Sequence, residues 1–221
     1  MRTARVWFRK EGNAVYVSHL DLNRYMARLL RRSHLPLGYT EGFNPHPHVV
    51  FALPLPLGLE GVRESMDVRF EDDGISNRTV ETILKDFSTS DIIINEVTNP
   101  IHKAKEITGA RYVYEGVCAD DTAGALYGTC RDFFGQETIL IQKKTKSGRV
   151  SQIDIKPVMG FGSLWATAVG AAFELTLPAG DTLNIHPHAL LDSLNAKIAA
   201  PPPLWRVTRK DLLLADGQPF S

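Results

Sequence analysis

The sequence predicts an α+β protein made of two tandem ferredoxin-like (βαββαβ) units with antiparallel sheets. Three observations carry this. The order strand, helix, strand, strand, helix, strand can be read over the first hundred residues. A similar order returns, with more noise, from about residue 108. The length of 221 residues suits one to two domains at roughly 150 residues each. We therefore expect one unit over residues 1–100 and a second, divergent unit over 108–221.

The segment TARVWFRK is β-branched and aromatic and stops at Glu11-Gly12-Asn13, as a strand and a turn would. In SHLDLNRYMARLLRRSH, Ser18 is suited to cap a helix, Asp21 adds a carboxylate to its first turn, and Leu22, Met26, Leu29 and Leu30 recur at helical spacing. Pro36 lies just past the end. VVFAL and SMDVRF read as the second and third strands, SNRTVETILKDF as a helix capped by Ser76, and DIIINEVT as the fourth strand. In the second half, ARYVYEGVCA, the helix TAGALYGTCRDFFG, and TILIQKKT and VSQIDIKPV around a Lys-Ser-Gly turn come first. AAFELTLPA, the helix HPHALLDSLNAKIAA and the strand LWRVTRKDLLL complete it. The glycine-rich FGSLWATAVG reads as a mobile loop.

Composition narrows the function classes. The formal net charge is +0, but residues 1–63 hold nine Lys/Arg against four Asp/Glu, while residues 64–137 hold seven against fifteen. Local clustering governs attraction of polyanions, so a neutral total is compatible with a basic surface on the first unit. The two cysteines, Cys118 and Cys130, are too few and too far apart for a redox pair or a disulfide scaffold. No secretory leader pattern and no apolar run near 18 residues is visible, so a cytoplasmic protein without membrane contact is expected.

On the first helix Arg24, Arg28 and Arg31 fall at i, i+4 and i+7, with Arg32 adjacent, which aligns guanidinium groups along one face. Such forks suit phosphates because each donates two parallel hydrogen bonds. The stretch GFNPHP then concentrates Phe43, Asn44 and His46 in a turn stiffened by Pro45 and Pro47, a setting for stacking on bases or holding a small molecule. The alternative is a rigid connecting turn with Phe43 in the core. His46-Pro47-His48 and His186-Pro187-His188 each offer two metal ligands, but spacing supplies no third, and no metal or other cofactor is expected. Catalytic templates such as G-x-S-x-G, the P-loop, G-x-G-x-x-G and H-E-x-x-H are absent.

The run VSHLDLNRYMARLLRRSHLPLGYTEGFNPHPHVVFALPLPLG, followed by ESMDVRF, resembles a bacterial family of radical-SAM-linked proteins, a domain of unknown function. The likeness is specific over residues 8–70 and rests afterwards on SQIDIKP and HPHALLDSL. It implies a radical SAM protein as partner. It also draws attention to Lys156, where the family tends to carry arginine; lysine lacks the planar fork for a bidentate anion contact. The chain has no C-x-x-x-C-x-x-C motif, so the cluster chemistry would have to come from that partner.

The leading expectation is a noncatalytic RNA-binding module that assists a radical SAM modification enzyme. Arg24, Arg28, Arg31 and Arg32 would hold phosphates, and Phe43, Asn44 and His46 would position a nucleotide. Two readings stay open beside it. One is an enzyme with a small-molecule or nucleotide pocket around His19, Asp21 and His46; the other is a structural domain that docks a protein through a sheet face or edge.

Overall fold

A computed structural model describes residues 1–118, 123–144, 150–198 and 203–221. The chain divides into two compact units. The first comprises Met1–Ile107 with Gln218–Ser221, and the second Thr108–Gly217. The fold is mixed α+β, with antiparallel strand pairs within each unit.

The first unit runs β1 (Arg2–Lys10), a 3-10 turn (Gly12–Tyr16), α1 (His19–Arg32), β2 (Val49–Phe51), β3 (Glu60–Phe70), α2 (Asn77–Asp86) and β4 (Ile92–Thr98). Strand β1 lies between β4 and β3, and the short β2 pairs with β3. The alternation of β1 sends Ala4, Val6 and Phe8 to one face, where they meet Leu22, Met26, Leu29 and Leu30 of α1, and Val80 and Leu84 of α2. Each such leucine or methionine taken from water contributes about 1.5–3 kcal/mol, so this stripe holds α1 on the sheet. On the other face, Arg5 and Trp7 are also buried. Phe220 comes back to this unit and meets Trp7 edge-on at 6.3 Å.

Both helix starts are set by serine. The Ser18 hydroxyl accepts from the Asp21 amide at 3.2 Å, and the Ser76 hydroxyl from the Thr79 amide at 3.0 Å. Each satisfies one amide that the helix itself leaves without a partner.

The second unit runs β5 (Gly109–Val117), α3 (Ala123–Phe134), β6 (Leu140–Lys144), β7 (Val150–Asp154), β8 (Gly160–Thr167), β9 (Gly170–Pro178), α4 (Pro187–Asn195) and β10 (Leu204–Leu213). Its sheet has the order β10-β5-β9-β8, while β6 and β7 form a separate hairpin. The Lys-Ser-Gly turn expected at that hairpin lies outside the described residues. An aromatic cluster fills the core: Phe173 stacks on Tyr114 at 4.7 Å and meets Phe134 at 4.8 Å and Trp205 at 5.7 Å.

One expectation fails here. FGSLWATAVG is not a mobile loop. Most of it is β8, paired with β9 from Gly160↔Thr176 to Thr167↔Gly170, and the register shifts between Phe161 and Ser163. Gly162 lies at that irregularity, where an added Cβ would come within 3.2 Å of the Glu174 carbonyl oxygen. The glycines that suggested a loop serve a bulge and a close strand approach.

Candidate functional site

The basic helix has two parts. At its start, Asp21 accepts from the Ser18 hydroxyl at 2.7 Å and from Arg24 Nη1 at 3.1 Å. The Ser18 bond first, and Arg24 second, hold the Asp21 carboxyl below its ordinary value. His19 is half-buried, with its ring edge-on to Phe51 at 5.0 Å, and so joins the first turn of α1 to β2. The SHLD sequence therefore builds and anchors a helix start, and Arg24 is tied into it.

The C-terminal half of α1 is different. Arg28, Arg31 and Arg32 line a groove of about 480 Å³ together with Tyr25, Leu29, Phe87 and Thr89. Leu29 is buried, while Tyr25 and Phe87 are half-buried and pack against the core. The Tyr25 hydroxyl donates to the Phe87 carbonyl at 3.4 Å, fixing the connection between α2 and β4 against α1. The Arg32 guanidinium lies over the Phe87 ring, 5.6 Å from its centroid. Among the described residues, neither Arg28 nor Arg31 forms an ion pair. Arg31 and Arg32 occupy the last turn, where cations also relieve the negative end of the helix dipole.

The GFNPHP segment forms a small finger. The Gly38 amide donates to the Arg69 carbonyl at 2.8 Å, His48 N to Gly38 O at 2.8 Å, and Thr40 N to His46 O at 2.9 Å. Tyr39 bridges Pro47. The His46 Nδ1 lies 3.1 Å from the Thr40 hydroxyl and 3.2 Å from the Asn44 carbonyl. Gly42, at φ +114, makes the reversal that a side chain would resist. Phe43 stands at the tip with its ring fully exposed, so it is not the core residue of the alternative reading.

Of the predicted residues, Arg28, Arg31 and Arg32 come together at the groove, and Phe43, Asn44 and His46 share the finger. Lys156 belongs to the second unit, away from the groove and the finger in sequence. Its ammonium donates to the Phe134 carbonyl at the last turn of α3, and its amide donates to Asp154 Oδ1 at 3.0 Å. A cation at a helix C-terminus satisfies a carbonyl left open there, which is a structural task. Sequence reasoning did not find Tyr25, Leu29, Phe87 and Thr89 as groove walls. Phe87 ends the apolar pattern of α2 and gave no sign that it would meet α1.

In the second unit His186 caps α4, its Nδ1 accepting from the His188 amide at 3.3 Å, and the two rings stack at 5.2 Å. Partial burial lowers the pKa of both histidines, and His188 lowers that of His186 further. No group of three or more His, Cys, Asp or Glu that could hold a metal ion occurs among the described residues. No helix among them is long and apolar enough to cross a membrane.

Comparison with known proteins adds family and fold. A family described as "Uncharacterized protein conserved in bacteria (DUF2344)" matches residues 3–187. No curated protein matches the sequence. Among solved structures, a chain of the "Crystal Structure of a Cbf5-Nop10-Gar1 Complex" is similar at a TM-score of 0.50 and 8% identity. The match covers 95% of this chain and 48% of the other, so this chain spans about half its length. At that identity the likeness concerns the fold alone.

Proposed function

The chain belongs to this bacterial family of uncharacterized conserved proteins, and on that premise we propose that it is a noncatalytic RNA-binding module. The observation that supports the reading is the groove beside α1, which Arg28, Arg31 and Arg32 line and where neither Arg28 nor Arg31 forms an ion pair among the described residues. Arginines kept free on a helix face suit phosphates, because each guanidinium can engage two oxygens. The finger supports it: a fully exposed Phe43 on a stiff turn offers a surface on which a base can stack.

The resemblance over residues 8–70 extends the proposal to a partner. The module would present RNA to a radical SAM enzyme that supplies the chemistry. We also read each unit as ferredoxin-like. The order β4-β1-β3 with β2 beyond β3, and the order β10-β5-β9-β8, supports this for both, with β6–β7 as an inserted hairpin.

Filter retention of total cellular RNA by the purified chain tests the reading. Retention that weakens with salt and is lost in an Arg28→Ala/Arg31→Ala variant is expected. No retention even at low salt would overturn it.

A further inference from the structure

We propose that the groove between α1 and the α2–β4 connection binds one unpaired nucleotide, with Phe87 stacking on the base and Arg28, Arg31 and Arg32 holding the flanking phosphate. The proposal rests on the RNA-binding reading and narrows it to single-stranded or looped RNA.

Size and chemistry lead to this. A groove of about 480 Å³ falls within the range of small-ligand sites. A site for phosphate alone needs only donors, yet this one combines a rim of three arginines with walls from Tyr25, Leu29 and Phe87. A duplex presents its charged backbone to such a surface and keeps its base faces stacked inside, so the apolar walls would meet nothing. An unpaired nucleotide offers both an anion and a flat apolar face.

Phe87 is suited to stack because it is half-buried: it packs on the core, and the Arg32 guanidinium lies over its ring. The Arg32 guanidinium, 5.6 Å from the ring centroid, keeps a cation for the flanking phosphate beside the stacking surface. The hydrogen bond from Tyr25 to the Phe87 carbonyl holds that ring's backbone against α1 before any ligand arrives. A preorganised wall loses less freedom on binding.

The test measures binding of a labelled ten-nucleotide RNA strand and of the matching duplex by fluorescence anisotropy, with wild type and Phe87→Leu. Leucine keeps apolar packing against the core but removes the ring face. The expected result is tighter binding of the single strand, weakened roughly tenfold by Phe87→Leu with no change in salt slope, and a duplex affinity that the variant leaves alone. Photocrosslinking of wild type with a 4-thiouridine strand, mapped by mass spectrometry, needs no variant and is expected to mark Tyr25 or Phe87. Crosslinks only elsewhere would overturn the proposal, as would equal affinity for strand and duplex that Phe87→Leu does not alter. In both cases RNA binding itself would stand. Competition by polyglutamate as effective as RNA of equal charge would show a groove that reads charge alone, also against the proposal. Absence of any RNA binding by wild type at low salt would remove the underlying reading as well.

Discussion

Arg5 offers the sharpest test of what holds the first unit together. It stands on β1 directly opposite Asp67 on β3, with its side chain 1% exposed and that of Asp67 25% exposed. Nε and Nη2 donate to the two carboxylate oxygens at 2.7 and 2.9 Å, and Nη2 also donates to the His102 carbonyl at 2.8 Å. The guanidinium lies 4.2 Å from the Phe220 ring centroid. Removing one partner of a buried ion pair costs about 3–5 kcal/mol, because the remaining charge is stranded. Here Arg5 keeps the His102 carbonyl and the aromatic face, and Asp67 is partly solvated, so Asp67→Ala falls at the lower end, about 3 kcal/mol. At about 2–4 °C per kcal/mol for a chain of this length, the midpoint should drop by about 6–12 °C. Asp67→Asn retains one acceptor and should lose about half as much. An Arg5→Met/Asp67→Leu double variant should recover most of the stability, since apolar replacement of a whole buried pair is close to neutral. Urea denaturation followed by tryptophan fluorescence measures this, with Trp7 reporting on the first unit and Trp165 and Trp205 on the second. Asp67→Ala within about 0.5 kcal/mol of wild type would refute the reasoning, because surface substitutions fall within that range.

Ser18→Ala should destabilise α1 by about 1 kcal/mol, measured by denaturation, and should raise the Asp21 pKa toward its ordinary value, measured by NMR titration. The folded-state Asp21 value is depressed, so its contribution is present above the unfolded-state pKa and is lost as pH falls through the folded value. Burial pushes the Cys130 thiol up to about 12, so alkylation at pH 8 followed by mass spectrometry should label the half-buried Cys118 well before Cys130. His186 and His188 also have depressed values. The stability they confer is full above the unfolded-state value and falls as pH drops through their folded values, so a His186→Gln/His188→Gln variant should show a flatter loss of midpoint between pH 7 and pH 5.

What could be read from the sequence was local. Ser18 and Ser76 announced their helices because a cap needs only its own next three residues, and the stripe Leu22, Met26, Leu29, Leu30 is helical periodicity in one stretch. The alignment of Arg28, Arg31 and Arg32 follows from the same geometry. β8 was missed because Gly160 and Gly162 carry the signature of a loop, and only pairing with β9 makes them parts of a strand. VVFAL reads as a strand over its whole length, yet β2 spans only Val49–Phe51. Lys156 was singled out by its place in a motif, whereas its actual partner, the Phe134 carbonyl, is 22 residues away in sequence. Phe87 and Thr89 reach the arginine face only through the tertiary fold, so no window of sequence could show the groove whole.

The central claim is that the arginines along α1 neutralise RNA phosphates, and the salt dependence of affinity tests it most directly. Single-stranded RNA loses about 0.7 units of log K per log salt for each phosphate contact. Anisotropy titrations from low to physiological salt should therefore give a slope about 1.4 shallower for Arg28→Ala/Arg31→Ala than for wild type. A slope identical in the two proteins would mean that these side chains touch no phosphate and would contradict the account.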